Sequence, residues 1–178
     1  MSALPRFNLD MRVRVHPTPL RLRILKALTR VIEQVAPANG YHHDLTAKVF
    51  RGRIRYDQDD PIPMISILEA PIPEDSPPQS GQNTAAYGNW ELLIQGFVDD
   101  DRINPSDPAH NLMADVKSAI VKERNREYGN DLLGMGNRVK SMSIGQGSVR
   151  PSDDPTAEAF FWFKLTLSVV EDLESPYD

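Results

Sequence analysis

The chain has 178 residues, 40% of them hydrophobic, which suits one domain with a real core and fits two poorly. It contains no cysteine, so disulfides and thiolate zinc sites are excluded and assembly in a reducing compartment fits best. The net charge is −5, with both signs spread along the chain, which argues against tight sequence-independent binding of nucleic acid, since that needs a basic surface. No run of about 18 apolar residues marks a membrane span, and the opening Met1-Ser-Ala-Leu-Pro-Arg-Phe7 lacks the apolar core of a secretory signal.

Residues 1–17 read as an irregular arm. Thr18-Pro19 is a good helix start, with Thr18 as cap and Pro19 in the first turn. Ile24, Leu25, Leu28, Val31, Ile32 and Val35 follow at helical spacing, and the helix should stop near Pro37, with Asn39-Gly40 turning the chain. A first strand is expected over Leu45 to Tyr56, its alternating Arg51, Arg53 and Arg55 sharing one wet face. Asp57-Gln-Asp-Asp-Pro61 turns into a second strand, Pro63 to Glu69. Residues 70–88 carry Pro71, Pro73, Pro77 and Pro78 and form no regular element; so long a loop is either disordered or a contact arm.

The third strand is expected from Asn89 to Val98. Trp90, Leu92, Ile94 and Val98 share one face, and Glu91, Leu93, Gln95 and Phe97 the other, with both faces partly covered. Asp99-Asp100-Asp101 is an acidic turn. A second helix runs from Pro108 to Tyr128, with Leu112, Met113, Val116, Ala119 and Ile120 as its buried stripe. Lys122, Arg124 and Arg126 suit the negative end of its dipole. After Gly129-Asn130 and a short apolar piece, Asp131 to Met135, come a strand over Val139 to Ser148 and a final strand from Ala159 to Val170. In that strand Phe161, Phe163, Leu165, Leu167 and Val169 should face the core. The fold class is α+β: a single domain with one antiparallel sheet flanked by two main helices.

The search for chemistry yields little. His42-His43-Asp44 lacks the helical spacing of a zinc pair, and adjacent strand residues point apart, so it reads as a polar loop. Asp99 and Asp101 are followed at the next alternate position by Ile103, and Asp57 and Asp59 by Pro61, so neither run makes an EF-hand calcium loop. Gly134-Met-Gly136 and Gly145-Gln-Gly147 are turn or bulge glycines without a dinucleotide-binding third glycine. The basic run from Lys117 to Arg126 is interleaved with Glu123 and Glu127 and reads as a solvated helix face. With no nucleophile, metal-ligand pair or phosphate loop from Asn89 to Ile120 and no coherent catalytic constellation elsewhere, the chain reads as one that works by shape and partner surfaces. No cofactor is called for.

Several stretches together resemble the bacteriophage tail terminator family, of the minor tail protein U type. They are the N-terminal helix, the strand Pro63-Met-Ile-Ser-Ile-Leu-Glu69, the strand Trp90-Glu-Leu-Leu-Ile-Gln-Gly-Phe-Val98, the helix Leu112-Met-Ala-Asp-Val-Lys-Ser-Ala-Ile120, and the closing strand Phe161 to Val170 with Glu171-Asp172. The resemblance implies a virion protein of the tail neck, assembled in the host cytoplasm, that forms a hexameric ring and stops growth of the tail tube. It would join the tail to the head connector, while genomic DNA crosses the lumen without specific binding. Its partners would be copies of itself, the tail tube protein and the connector or stopper protein. The contact residues expected on this reading are Asp99, Asp100 and Asp101, held where strand meets helix, and Gln79, Gln82 and Asn83 in the long loop. Two other readings stay open: another neck component, such as a stopper or head-completion protein, and a small enzyme built from dispersed residues such as His42, His43 and Asp99.

Overall fold

A computed structural model of the protein describes residues 17–57, 59–70, 85–126, 131–151 and 158–177. The first helix, α1, covers Leu20–Ile32. Thr18 does not cap it: Pro19 is the flanking residue, and the Leu20 N–H donates to the Pro176 carbonyl at 3.0 Å. The helix ends before Pro37, and Val35 stays buried beyond it, ahead of a 3-10 turn at Pro37–Asn39. Gly40, at φ 82°, then reverses the chain.

The strands are β1 (Val49–Arg51), β2 (Met64–Glu69), β3 (Ala85–Val98), β4 (Val139–Ile144), β5 (Ser148–Arg150) and β6 (Ala159–Asp172). The second helix, α2, covers Asp107–Arg124 between β3 and β4. The sheet order is β1-β2-β3-β6-β4, and β5 also pairs with β6, so β4 and β5 lie end to end along one edge of β6. Every pairing is antiparallel except β1 with β2, which is parallel. The fold is α+β: a six-stranded sheet with two helices in one domain.

One buried cluster joins Ile24, Leu28 and Ile32 of α1 and Leu112, Val116 and Ile120 of α2 to a single face of the sheet. That face carries Ile65 and Ile67, then Leu92 and Ile94, then Phe161, Phe163, Leu165 and Leu167. The period-two alternation of β6 therefore points to the core as the sequence indicates. The other face carries no helix among the described residues. The chain after β1 covers part of it instead: Tyr56 lies over Phe97 with ring centroids 4.6 Å apart, and the Ser66 hydroxyl donates to the Arg53 carbonyl. Phe97 is buried as a result.

Several expected boundaries change. The first strand is three residues long, not twelve, because Gly52 at φ 72° breaks it. The three arginines consequently do not share one wet face. The Arg51 guanidinium donates to the Thr29 hydroxyl of α1 at 2.9 Å, whereas Arg53 lies over the Phe50 ring and pairs with Asp60. β3 starts at Ala85, four residues early, because β6 runs on to Asp172 and supplies pairing partners for it. The expected strand over 139–148 is two strands, separated at Gly145-Gln146-Gly147, where Gly147 takes φ 83°. α2 ends at Arg124 rather than Tyr128. The expected arm and most of the proline-rich loop lie outside the described residues, at 1–16 and 71–84.

Gly96 sits where the core leaves no room for a side chain. A β-carbon there would sit 2.2 Å from Cε1 of Phe161 and 2.8 Å from Cδ1 of Ile65. Phe161 is fully buried and stacked on Phe163, so its ring has little room to yield. Gly96→Ala is expected to lower stability by about 1–3 kcal/mol, the usual range for overpacking. Thermal unfolding checks this, and Phe161→Leu in the same chain should recover part of the loss. An unchanged midpoint for the single variant would show that the Phe161 ring moves freely.

Candidate functional site

Three features stand out beyond the core. The first is the turn between β3 and α2. Asp99 and Asp100 are exposed, as are Arg102 and Ile103, and Ile103 keeps 84% of its surface in solvent. Asp101 folds the turn back on itself. Its Oδ1 accepts from the N–H of Ile103 at 2.9 Å and of Asn104 at 2.7 Å. These two bonds, that from Asn104 first, favour the charged carboxylate and hold its pKa below the ordinary value. Because the folded-state value is depressed, this local stabilisation is present above the ordinary aspartate range and is lost as pH falls through the folded value. The turn is thus a fixed corner carrying two free-standing carboxylate side chains and one apolar knob.

The second feature is a groove of about 580 Å³ where α1 crosses the C-terminal half of α2. Ala27 and Val31 of α1, Ala119 of α2 and Leu133 give it apolar walls, and Arg30, Lys122 and Arg126 stand around them. Glu123 also borders it, but its carboxylate is engaged: one oxygen accepts from the Leu133 N–H at 3.2 Å and the other pairs with Arg126 at 2.9 Å. Lys122 Nζ sits 4.2 Å from the centre of the Tyr41 ring, which fixes that cation at the groove. Arg30 also borders a second recess, of about 400 Å³, with Arg23 and Lys26, so the positive surface continues along α1.

In the basic run from Lys117 to Arg126, Lys122, Arg124 and Arg126 are exposed, as a solvated face requires. Lys117 departs from it: its ammonium donates to the Gln146 carbonyl and lies 5.2 Å from the Phe163 ring centre. Burial there pushes its pKa down.

The third feature was not legible as a site. Asp115 is buried on the inward side of α2, and its Oδ2 accepts from the backbone N–H of His42 at 3.0 Å and of His43 at 3.1 Å. The same oxygen lies 2.8 Å from His43 Nδ1, so that nitrogen carries the proton and Nε2 faces away. The carboxylate clamps the chain entering β1 onto α2. A signal existed: Asp115 falls three residues after Leu112 and directly before Val116, a charged residue within an apolar stripe. Of the dispersed group considered for an enzyme, the structure brings His43 to Asp115 and not to Asp99, and His42 contributes its backbone alone.

Gln79, Gln82 and Asn83 lie outside the described residues. Among the described residues no three His, Asp or Glu side chains gather closely enough to hold a metal ion. No described helix is long and apolar enough to cross a membrane. Compared with known proteins, the chain matches no protein family and no curated protein.

Proposed function

We propose that this protein is a tail-terminator-type ring component of a phage virion. It assembles with copies of itself on the head-proximal end of the tail tube, stops tube growth and joins the tail to the head connector. The observation that carries this reading is the continuous unit β3–acidic turn–α2. It is the stretch on which the resemblance rests most heavily, and it folds as one piece with Asp99 and Asp100 displayed at the corner. A ring that ends polymerisation needs two unlike surfaces. The sheet offers helices on one face and, on the other, an open row that includes Phe160 stacked on Trp162 and a Glu91–Lys164 ion pair at 2.7 Å. DNA would pass the ring without specific binding, which a net charge of −5 suits.

Images of lysates lacking the protein test the reading. Overlong tails support it. Tails of normal length beside leaking heads support a stopper or head-completion role instead. Neutralising the turn with Asp99→Asn, Asp100→Asn and Asp101→Asn together is expected to leave folding intact: Asp99 and Asp100 are exposed, where substitutions seldom cost more than about 0.5 kcal/mol, and an amide oxygen at position 101 still accepts from the Ile103 and Asn104 N–H groups. It should reduce the yield of correctly joined virions. Infectious particles with normal tails from that triple variant would remove the turn from the functional surface.

A further inference from the structure

We propose that the groove between α1 and α2 receives the 99–104 turn of a second copy of this chain. The two surfaces match in two independent respects. The groove has apolar walls, and the turn presents Ile103, the most exposed large apolar side chain among the described residues. Around the walls stand the cations of Arg30 and Lys122, while Arg126 is paired with Glu123, and the turn flanks its knob with the exposed carboxylates of Asp99 and Asp100. An apolar anchor ringed by opposite charge is the usual composition of a specific contact.

The position of the two surfaces makes the occupant another molecule. The turn precedes α2 at Asp107, and the groove lies beside Ala119 and Lys122. At a rise of about 1.5 Å per residue, they are roughly 20 Å apart along the helix axis. A rigid corner at one end of a rigid helix does not reach a groove near the other end. The corner is also set in advance, because Asp101 ties down the backbone of Ile103 and Asn104. Little ordering is then lost on docking. A turn of one copy in the groove of the next is a head-to-tail contact, and such contacts either close into a ring or continue as a filament. The inference gives the ring reading its subunit contact and depends on that reading for closure alone.

Sedimentation velocity over a range of concentrations tests it, using the wild-type chain, the turn variant Asp99→Lys/Asp100→Lys, and the groove variant Arg30→Glu/Lys122→Glu. The wild type is expected to self-associate beyond a dimer, more weakly at high salt. Each variant alone should associate at least tenfold more weakly. An equal mixture of the two should recover assembly, because the lysine turn of one fits the glutamate groove of the other, and the remaining native turn fits the remaining native groove. Recovery also shows that both variants are folded. Ile103→Asp, which leaves the groove unchanged, should weaken association as well. A wild type that stays monomeric throughout, variants that assemble like the wild type, or a mixture that stays apart would each overturn the proposal. Overlong tails in lysates lacking the protein, alongside any of those results, would leave the terminator reading standing with its subunit contact elsewhere.

Discussion

Phe163→Ala is expected to lower the unfolding free energy by about 3–5 kcal/mol, the range for truncating a buried phenylalanine. Phe163 is 1% exposed, pairs across the sheet with Ile94, and stacks on Phe161 with ring centroids 5.9 Å apart and planes 6° from parallel. Its ring faces α2, where Lys117 lies over it. Removing the ring leaves a void bounded by a helix, a neighbouring strand and a stacked aromatic, none of which can collapse freely. Typical domains are stable by about 5–15 kcal/mol, so this change removes a large share of the total. Phe160→Ala, three residues earlier on the helix-free face, should cost distinctly less. Denaturant unfolding of both variants checks the pair. Equal losses would mean that β6 has been assigned to the wrong register, because a slip of one residue exchanges its faces.

Asp115→Ala should be nearly as damaging, though the residue contributes no apolar area. Three donors converge on its Oδ2: two backbone N–H groups and an imidazole nitrogen. Alanine leaves all three without their acceptor in a largely buried position. Each unsatisfied buried group costs about 1–3 kcal/mol, less where water can reach it, so a loss of about 3 kcal/mol is expected. Asp115→Asn keeps an acceptor oxygen in place and should lose less. His43→Ala removes one of the three bonds and should fall between the asparagine and alanine variants. The order of denaturation midpoints is the decisive observation. If Asp115→Ala melts like the wild type, the 41–45 segment is held by something other than this carboxylate.

Strands with clean alternation were the most legible part of the chain. Phe161 to Val169 declares its inward face by period two alone, and its buried residues are those expected. Trp90 to Val98 alternates incompletely, and both its faces are covered in part, with Phe97 buried opposite Trp90, Leu92 and Ile94. α2 was legible for the same reason at helical period. The first strand misled because Arg51, Arg53 and Arg55 alternate convincingly while Gly52 between them turns the chain, and alternation counts say nothing about backbone sign. The parallel pairing of β1 with β2 was also hidden, since the polar run after Tyr56 has the composition of a tight turn. At the candidate site the acidic turn was readable, but its fixed geometry, through Asp101 bonding to residues two and three places on, is a local hydrogen-bond pattern. The groove was not readable, because its walls come from positions as distant as Ala27, Ala119 and Leu133. Only the tertiary crossing of α1 and α2 brings them together.

The central pair of the sheet joins β3 to β6, with Val98 beside Ala159 and Ala85 beside Asp172. Partners are thus roughly 60–90 residues apart in the chain, a separation that makes loop closure expensive before any contact rewards it. During synthesis, β3 leaves the ribosome with its apolar side bare and must wait for α2, β4 and β5 to emerge before its main partner exists. The delay amounts to several seconds at about 5–20 residues per second. Over that interval the strand Trp90-Glu-Leu-Leu-Ile-Gln-Gly-Phe-Val98 is the exposed hydrophobic element of the nascent chain. Yield in a host cell should therefore depend on chaperone supply and translation rate, and substitutions that leave the finished fold untouched can still change how many molecules reach it.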